Sequence, residues 1–225
     1  MHRRQLLIAG GSLMALSACA STGATDVSGA AGVDMAEEAR LARAVLPSAA
    51  PRAELLQPWT GAYDGTPPFD KVTPAKLREA MLEGIELQRA DIAAIADNPE
   101  PATFANTMAA LELAGEPLDR AYNVYGVMTS NIGGEAYDAV DTELSPILSA
   151  ASDEITFNEK LFLRIKAVAD GADAAGLRPE QKRLVERRRD AFVRSGANLD
   201  AAGKAELGRI NTALSNAFTR FGQKV

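Results

Sequence analysis

The sequence predicts an all-α protein, an antiparallel array of helices joined by short loops. Three observations support this prediction. From residue 73 onward, apolar residues recur every three or four positions, which is the period of an amphipathic helix. Residues that begin or end helices separate these stretches. No stretch shows the alternation of apolar and polar residues that a half-buried strand requires, and no repeat of fixed period is present.

The composition of the 225 residues excludes several kinds of protein. Hydrophobic residues make up 47% and charged residues 24%, as in globular proteins. The mean hydropathy of −0.09 excludes a protein that spans a membrane many times. With one cysteine, Cys19, and one histidine, His2, the chain cannot form an internal disulfide framework or a Cys/His metal cage. The net charge of −6 argues against a nucleic-acid binder, because such proteins gain affinity mainly by neutralising phosphates.

The first residues are typical of a bacterial export signal. A short basic segment at residues 1–4 precedes an apolar stretch at residues 6–17, which is too short to cross a hydrocarbon core of about 30 Å as a helix. The stretch ends in Leu16-Ser17-Ala18-Cys19, which resembles a lipobox. We therefore expect a signal peptide over residues 1–18 and a lipid on Cys19. The protein would then lie on the periplasmic side, held to a bacterial membrane by that lipid alone.

Alternatives remain open at this end of the chain. Cys19 could be an ordinary buried thiol, or a plain secretory cleavage could occur nearby. The pair Arg3-Arg4, followed by Gln5-Leu6-Leu7, resembles a twin-arginine export signal, but it is equally consistent with two ordinary basic residues of a secretory signal.

A spacer is predicted between the signal and the helical domain. Residues 19–53 form this flexible tether, because residues 20–32 are mostly small and cannot bury enough surface to become ordered. Within it, residues 35–46 have helical composition, and Pro47 ends that short helix. The domain then covers residues 54–225. Its first part, residues 55–70, is interrupted by proline and glycine, so we expect extended chain with turns. Its aromatic residues are predicted to anchor it to the helices, although a lone tryptophan in a loop could also stack on a ligand; they are Trp59, Tyr63 and Phe69.

Seven helices are predicted in the body of the domain. Thr73, Asn158 and Asp200 are expected to cap three of them, since their side chains accept hydrogen bonds from free N–H groups. The predicted helices are residues 74–97, 103–113, 118–130, 137–151, 159 onward, 179–194 and 201 onward. In the first helix the residues predicted to face inward are Leu77, Met81, Ile85, Gln88, Ile92 and Ile95. In the sixth they are Leu184, Ala191 and Phe192. In the seventh they are Leu207, Ile210, Leu214, Phe218 and Phe221.

Several groups of polar residues could form a site, and the sequence favours a structural role for each. Two sets of carboxylates could act as acid–base groups, but they lack a partner base and are interpreted as solvated helix faces. They are Glu112 with Glu116, and Asp138 with Asp141 and Glu143. The run Arg187-Arg188-Arg189 has acidic neighbours at salt-bridge spacing, which indicates a charged helix surface rather than a phosphate site. Gly133-Gly134 lacks the flanking residues of a phosphate loop. We therefore predict no catalytic, cofactor-binding or metal-binding residue in the chain.

Residues 55–225 resemble the N-terminal region of the thimet-oligopeptidase family of zinc metallopeptidases. The resemblance is closest to the branch that contains peptidyl-dipeptidases and oligopeptidase A. It rests on segments in order along the chain, namely PPFDKVTP (67–74), IAAIADNPEPATFANT (92–107), LDR (118–120), LFLRIK (161–166), LRPEQ (177–181), FVRSGANL (192–199), IN (210–211) and FGQKV (221–225).

The resemblance implies a fold and an activity. In the family, the N-terminal helices form one wall of a deep channel that restricts substrates to short peptides. Zinc is held by the histidines of an H-E-F-G-H motif and a distal glutamate, and the motif glutamate activates water. The 225 residues contain no H-E-x-x-H sequence, so no catalytic or metal-binding position is transferred.

Three hypotheses follow for the function. The chain could be the N-terminal part of a lipid-anchored peptidyl-dipeptidase, inactive by itself. A separate polypeptide could supply the catalytic half in a split enzyme. The chain could also be a stand-alone helical lipoprotein that binds peptides or a partner without catalysis. A channel wall separated from its catalytic half should leave apolar helix faces in water, which favours the first hypothesis over the third.

Overall fold

The structure, a computed structural model, describes residues 35–47, 49–61 and 65–224. The predicted signal peptide, Cys19 and Tyr63 lie outside these residues. Every regular element in the described ranges is helical, which confirms the all-α prediction. The α-helices are α1 Met35–Val45, α2 Pro74–Ala96, α3 Ala110–Leu113, α4 Glu116–Val127, α5 Glu135–Thr156, α6 Glu159–Gly171, α7 Pro179–Arg194 and α8 Ala201–Gly222. No described helix has the length and apolar character needed to cross a membrane.

The three predicted caps are confirmed. The Oγ1 of Thr73 accepts a hydrogen bond from the N–H of Lys76 at 3.3 Å. The Oδ1 of Asn158 accepts from the N–H of Leu161 at 3.0 Å, and Asp200 caps α8 in the same way. Each side chain satisfies an N–H group that has no partner within its own helix, so these residues fix where the helices begin.

Two predicted helices contain π-helical turns, at Phe104–Ala109 and at Met128–Ile132. In the second segment, side chains donate hydrogen bonds to carbonyl groups four residues earlier. The Oγ1 of Thr129 donates to the carbonyl of Tyr125 at 2.9 Å, and the Nδ2 of Asn131 donates to that of Val127 at 3.2 Å. Because these side chains compete with the backbone for the same acceptors, the regular α-helical pattern is disturbed there.

Helix α2 runs through two apolar core clusters. Its first half packs with α4 and α5, around buried residues that include Leu77, Met81 and Leu144. Its second half contributes Ile95 to a cluster with α1, α3, α6 and α7. The apolar residues predicted to face inward on α2 are buried, and Gln88 is half-buried.

The described residues before α2 contact this body. Ala42 of α1 is fully buried in the second cluster, and Glu38 accepts a hydrogen bond from Gln181 of α7 at 2.6 Å. The backbone N–H groups of Arg52 and Ala53 donate to the carboxylate of Glu83 at 2.7 and 2.9 Å. The residues before α2 that make these contacts belong to the predicted tether, residues 19–53. The boundary between tether and domain at residue 53 remains a prediction.

Some side chains do not lie where the sequence predicts. Trp59 packs against the first cluster as predicted, but Phe69 is 46% exposed and is not an anchor. On α7, Ala191 is exposed, and the buried residues are Gln181, Val185 and Phe192. The side chain of Gln181 accepts a hydrogen bond from the N–H of Arg178 and donates one to α1. Helix α7 packs mainly on α6, where the ring of Phe192 stacks on that of Phe162 with centroids 6.2 Å apart, and this packing leaves Ala191 outside.

Candidate interface on helix α8

Helix α8 carries an uncovered stripe of large apolar side chains. We define the α8 stripe as Ile210, Leu214, Phe218 and Phe221, which are 45, 49, 63 and 66% exposed. Their spacing of three or four residues places them on one face of the helix. The prediction that these residues face inward is therefore wrong for the described part of the chain, in which α8 has no fully buried residue. Leu207 is half-buried.

The face of α8 next to the stripe packs on α5 through polar side chains. The Nδ2 of Asn211 donates to the Oδ1 of Asp153 at 2.7 Å. The hydroxyl of Ser215 donates to the carbonyl of Ser145 at 3.0 Å, and the Oγ1 of Thr219 donates to the Oγ of Ser145 at 2.7 Å. Small polar residues allow the two helices to approach and also satisfy each other's hydrogen bonds. These contacts fix the orientation of α8 and turn the α8 stripe away from α5.

A half-buried carboxylate, that of Asp141, extends this polar contact to α4. Asp141 accepts hydrogen bonds from the hydroxyl of Tyr125 and, at 3.3 Å, from the hydroxyl of Ser145. Burial, together with the hydrogen bond to Asp141, raises the pKa of Tyr125 far above its usual value. The Tyr125 hydroxyl therefore remains a protonated donor at any physiological pH, and the network links α4, α5 and α8.

The charged residues of α8 itself are mostly positive. Arg209 makes two hydrogen bonds to Glu206, at 2.9 and 2.7 Å. Toward the end of α8, Arg220 and Lys224 are exposed, and neither forms an ion pair with any residue that the structure describes. Glu206 is the only acidic residue of α8. Arg220 and Lys224 therefore lie beside the C-terminal end of the stripe, and we call these two residues the basic margin.

The carboxylates considered as acid–base groups are engaged elsewhere. The carboxylate of Glu112 accepts from Arg188 at 2.5 Å, and Glu143 pairs with Arg78 at 2.6 Å. The hydrogen bond from Arg78 lowers the pKa of Glu143 below its usual value.

The remaining carboxylates are also partnered or structural. Glu116 pairs with Arg120 at 3.1 Å. Asp141 belongs to the network beneath α8, and the backbone carbonyl of Asp138 accepts from Gln223 at 2.9 Å.

The other two candidates have structural roles. Arg188 and Arg189 of the arginine run form ion pairs with Glu112 and Asp190. Gly133 and Gly134 adopt positive φ angles of 61 and 94° and form the turn before α5. This conformation is one that glycine adopts at low cost.

No zinc site can be built from the residues that the structure describes. Across residues 35–47, 49–61 and 65–224, no three side chains of His, Cys, Asp or Glu come close enough to hold a metal ion. A zinc site normally needs three or four such ligands. His2 and Cys19 lie outside the described residues. The described helices therefore do not fit the metal that the sequence resemblance implies.

Two surface grooves lie away from α8, each of about 560–570 Å³. The groove between α2 and α5 is lined by Arg78 and Arg89, which pair with Glu143 and Glu154 across it. The other lies between α1 and residues 97–106, where Asp97 pairs with Lys160 at 2.5 Å. These charges are already satisfied within the domain. The α8 stripe is thus the surface feature that the described packing leaves unexplained.

Comparison with known proteins shows that the chain is similar in sequence to two bacterial dipeptidyl carboxypeptidases. Over 159 residues, which are 71% of this chain, it is 37% identical to dipeptidyl carboxypeptidase from Escherichia coli (strain K12). The identity to dipeptidyl carboxypeptidase from Salmonella typhimurium (strain LT2) is 34% over the same length. These residues are 23% of each relative, so the chain spans about a quarter of the length of the curated proteins it matches. No protein-family model matches the chain.

Proposed function

Because the chain carries the N-terminal region of a thimet-oligopeptidase-family protein of the dipeptidyl carboxypeptidase branch, we propose that it forms the N-terminal helical part of such a peptidase. The whole enzyme would release dipeptides from the carboxyl ends of short peptides. The observation that carries this proposal is the 37% identity over 159 residues. The helices described here would serve as a wall of the substrate channel rather than as the catalytic centre.

The catalytic zinc belongs, in this proposal, to polypeptide outside the 225 residues. Such a metal would polarise the scissile carbonyl and activate a water molecule. The proposal is supported by the length of the relatives, since three quarters of their sequence has no counterpart here. We assign no catalytic role to any residue of this chain.

The activity proposal is tested with a chimera. Residues 54–224 replace the matching region of the E. coli dipeptidyl carboxypeptidase, and release of dipeptides from a blocked peptide is measured beside the unmodified E. coli protein. We expect the chimera to release dipeptides and to lose activity on treatment with a chelator. The 225-residue chain by itself is expected to hydrolyse nothing. Chelator-sensitive hydrolysis by that chain alone, or a folded chimera without activity, would contradict the proposal.

A stand-alone helical lipoprotein that binds without catalysis is the alternative. The exposed α8 stripe favours the peptidase part over this alternative, because a complete domain rarely leaves four large apolar side chains of one helix in water. We expect the isolated chain to bind a hydrophobic dye and the Leu214→Glu variant to bind less of it. A monomer that melts cooperatively and binds no dye would instead support the stand-alone protein.

We also propose that the protein is exported and held to a membrane by a lipid on Cys19. The support is the lipobox-like sequence that ends at this residue. We expect the native chain to sediment with membranes, and a Cys19→Ser variant to move to the soluble fraction, because the lipid chains supply the membrane affinity. Equal distribution of the two proteins between the fractions would disprove lipidation.

A further inference from the structure

We infer that the α8 stripe is the docking surface for an acidic amphipathic helix of the catalytic part of the same peptidase. This inference rests on the proposed function and names the surface through which the two parts meet. The stripe runs from Ile210 to Phe221, which at 1.5 Å per residue is about 16 Å, or three helical turns. This length suits contact with one crossing helix.

The shape of the surface fits a helix. Ala213 and Ala217 are exposed and flank the stripe on the side away from the contacts with α5. The large side chains form a ridge, and the alanines leave a shallow groove beside it, which is the surface that helices use to pack on one another. An extended strand would gain little there, because the backbone groups of α8 are already hydrogen-bonded within the helix.

The charges on α8 indicate which kind of partner helix would bind the stripe. Arg220 and Lys224 flank the C-terminal end of the stripe and form no ion pair with a described residue. A partner helix with an acidic residue at this position would therefore match the α8 surface in charge as well as in shape.

A second copy of the chain fits this surface less well. In a parallel pair of α8 helices, Arg220 would meet Arg220. In an antiparallel pair, the basic end would meet the region of Glu206, whose carboxylate is already held by two hydrogen bonds from Arg209. Since α8 carries no other acidic residue, a second α8 helix offers the basic margin no free acidic partner.

The length of the relatives indicates where the partner helix comes from. The matched residues are 23% of the dipeptidyl carboxypeptidases, so these relatives contain much further polypeptide that could supply a helix to cover the stripe. The contacts of Asn211, Ser215 and Thr219 hold α8 on α5 with the stripe outward. The stripe is therefore held open toward the remaining polypeptide.

Binding in trans tests the inference. The probe is the tagged remainder of the E. coli dipeptidyl carboxypeptidase, co-expressed with the 225-residue chain, and the E. coli enzyme's own N-terminal region is the positive control. We expect the chain to co-purify with the probe and the Leu214→Glu and Phe218→Glu variants to bind about ten-fold less or worse. Leu163→Glu on α6, at a site that is 63% exposed, should bind within about two-fold of the wild type. Equal binding by the stripe variants would overturn the inference, as would failure of the chain where the positive control binds.

Thiol reactivity of the chain alone provides a second measurement. In a Cys19→Ser background, Leu214→Cys should react with a thiol reagent within about three-fold of the rate of Leu163→Cys, at every protein concentration. Protection of Cys at 214 that grows with concentration would show that a second copy covers the stripe, and would overturn the inference. The chimera distinguishes this outcome from failure of the proposed function. Binding without hydrolysis would count against the activity alone, and hydrolysis that survives Phe218→Glu would count against the docking surface alone.

Discussion

Helices α2 and α8 carry the same sequence signal and have opposite environments. They are 23 and 22 residues long, each begins after a side-chain cap, and each shows apolar residues at spacings of three or four. In α2 the apolar face is buried, whereas in α8 it points outward and the polar face is packed. Periodicity therefore identifies the face of a helix that needs a partner. It does not show whether the described part of the chain supplies that partner.

The difference follows from what surrounds each helix. Around the first half of α2, helices α4 and α5 and the short turn Glu54–Leu56 enclose side chains such as Leu77. Helix α8 packs on α5, where residues such as Thr219 make hydrogen bonds. Burying apolar surface contributes about 25 cal/mol per Å² to the free energy of unfolding, so the buried apolar face of α2 stabilises the domain. The α8 stripe contributes little to this domain until another surface covers it.

Truncating one leucine on each helix tests this comparison most directly. Leu77→Ala removes a side chain with no exposed surface and should lower the free energy of unfolding by about 2–5 kcal/mol, because it leaves a cavity. Leu214→Ala should change it by less than about 0.5 kcal/mol, because the side chain is already half in water. Urea unfolding followed by circular dichroism measures both. Similar losses for the two variants would show that the α8 stripe is buried in solution.

A pair of glycines sharpens the comparison at the backbone. A Cβ at Gly84 of α2 would lie 2.9–3.1 Å from atoms of Leu118, including its backbone, so α2 and α4 approach too closely for alanine. Gly84→Ala should cost about 1–3 kcal/mol. A Cβ at Gly208 of α8 meets Asp153 and Phe157 at ordinary distances of 3.5 and 3.7 Å. Gly208→Ala should stabilise the protein by about 0.5–1 kcal/mol through its higher helix propensity. The midpoints of thermal unfolding should shift in opposite directions, and a shift of the same sign would refute the contrast.

The polar contact beneath α8 predicts a smaller effect. Thr219→Val keeps the shape of the side chain but removes the hydrogen bond to Ser145, so the free energy of unfolding should fall by about 0.5–1.5 kcal/mol. Asn216→Ala on the same helix, where the structure shows no side-chain hydrogen bond, should leave it unchanged or slightly raised. The amide hydrogens of α8 should exchange faster in the Thr219→Val variant than in the Asn216→Ala variant, whereas those of α2 should exchange at the same rate in both. Equal protection of α8 in both variants would mean that this contact does not hold the helix.

Local signals in the sequence predicted much of the fold. The caps Thr73, Asn158 and Asp200 satisfy N–H groups a few residues away, so they could be recognised from the sequence alone. The stripe of α2 was also predicted correctly, because a single helical face fits between its neighbours.

Long-range packing could not be predicted in the same way. Val185 is buried and Ala191 is exposed because of how α7 packs on α6, with a further hydrogen bond to α1, and the periodicity of α7 alone does not specify that packing. The candidate site shows the same limit. The residues of the α8 stripe were recognised, but their outward orientation depends on Ser145 and Asp153 of α5, and no local pattern reveals that pairing.

The contact between Glu83 of α2 and residues 52–59, which we call the N-terminal segment, gives the smallest predicted effect on stability. This effect is confined to that segment. Burial raises the pKa of Glu83, but the N–H groups of Arg52 and Ala53 and the charge of Arg52 together lower it below 4.5. A lowered pKa in the folded state means that the contact is fully stabilising above pH 4.5. The stabilisation is lost as the pH falls through the folded-state value. We therefore expect the segment to loosen as the pH falls below 4.5, before the helices unfold.

Trp59, the only tryptophan, reports this loosening, because it packs against the first core cluster just beyond the Glu83 contact. Its emission should shift to longer wavelength on acidification while the helical circular dichroism is still unchanged. Glu83→Gln should show the shifted emission already at neutral pH, since an amide offers one acceptor oxygen where the carboxylate offers two. Glu206→Gln is the matched control: hydrogen bonding to Arg209 also lowers the pKa of Glu206, but it lies on α8, so the Trp59 titration should remain that of the wild type. If Trp59 shifts only when the helices unfold, the segment is held by its buried leucines and not by Glu83. The N-terminal segment would then depend on the same apolar packing that distinguishes α2 from α8.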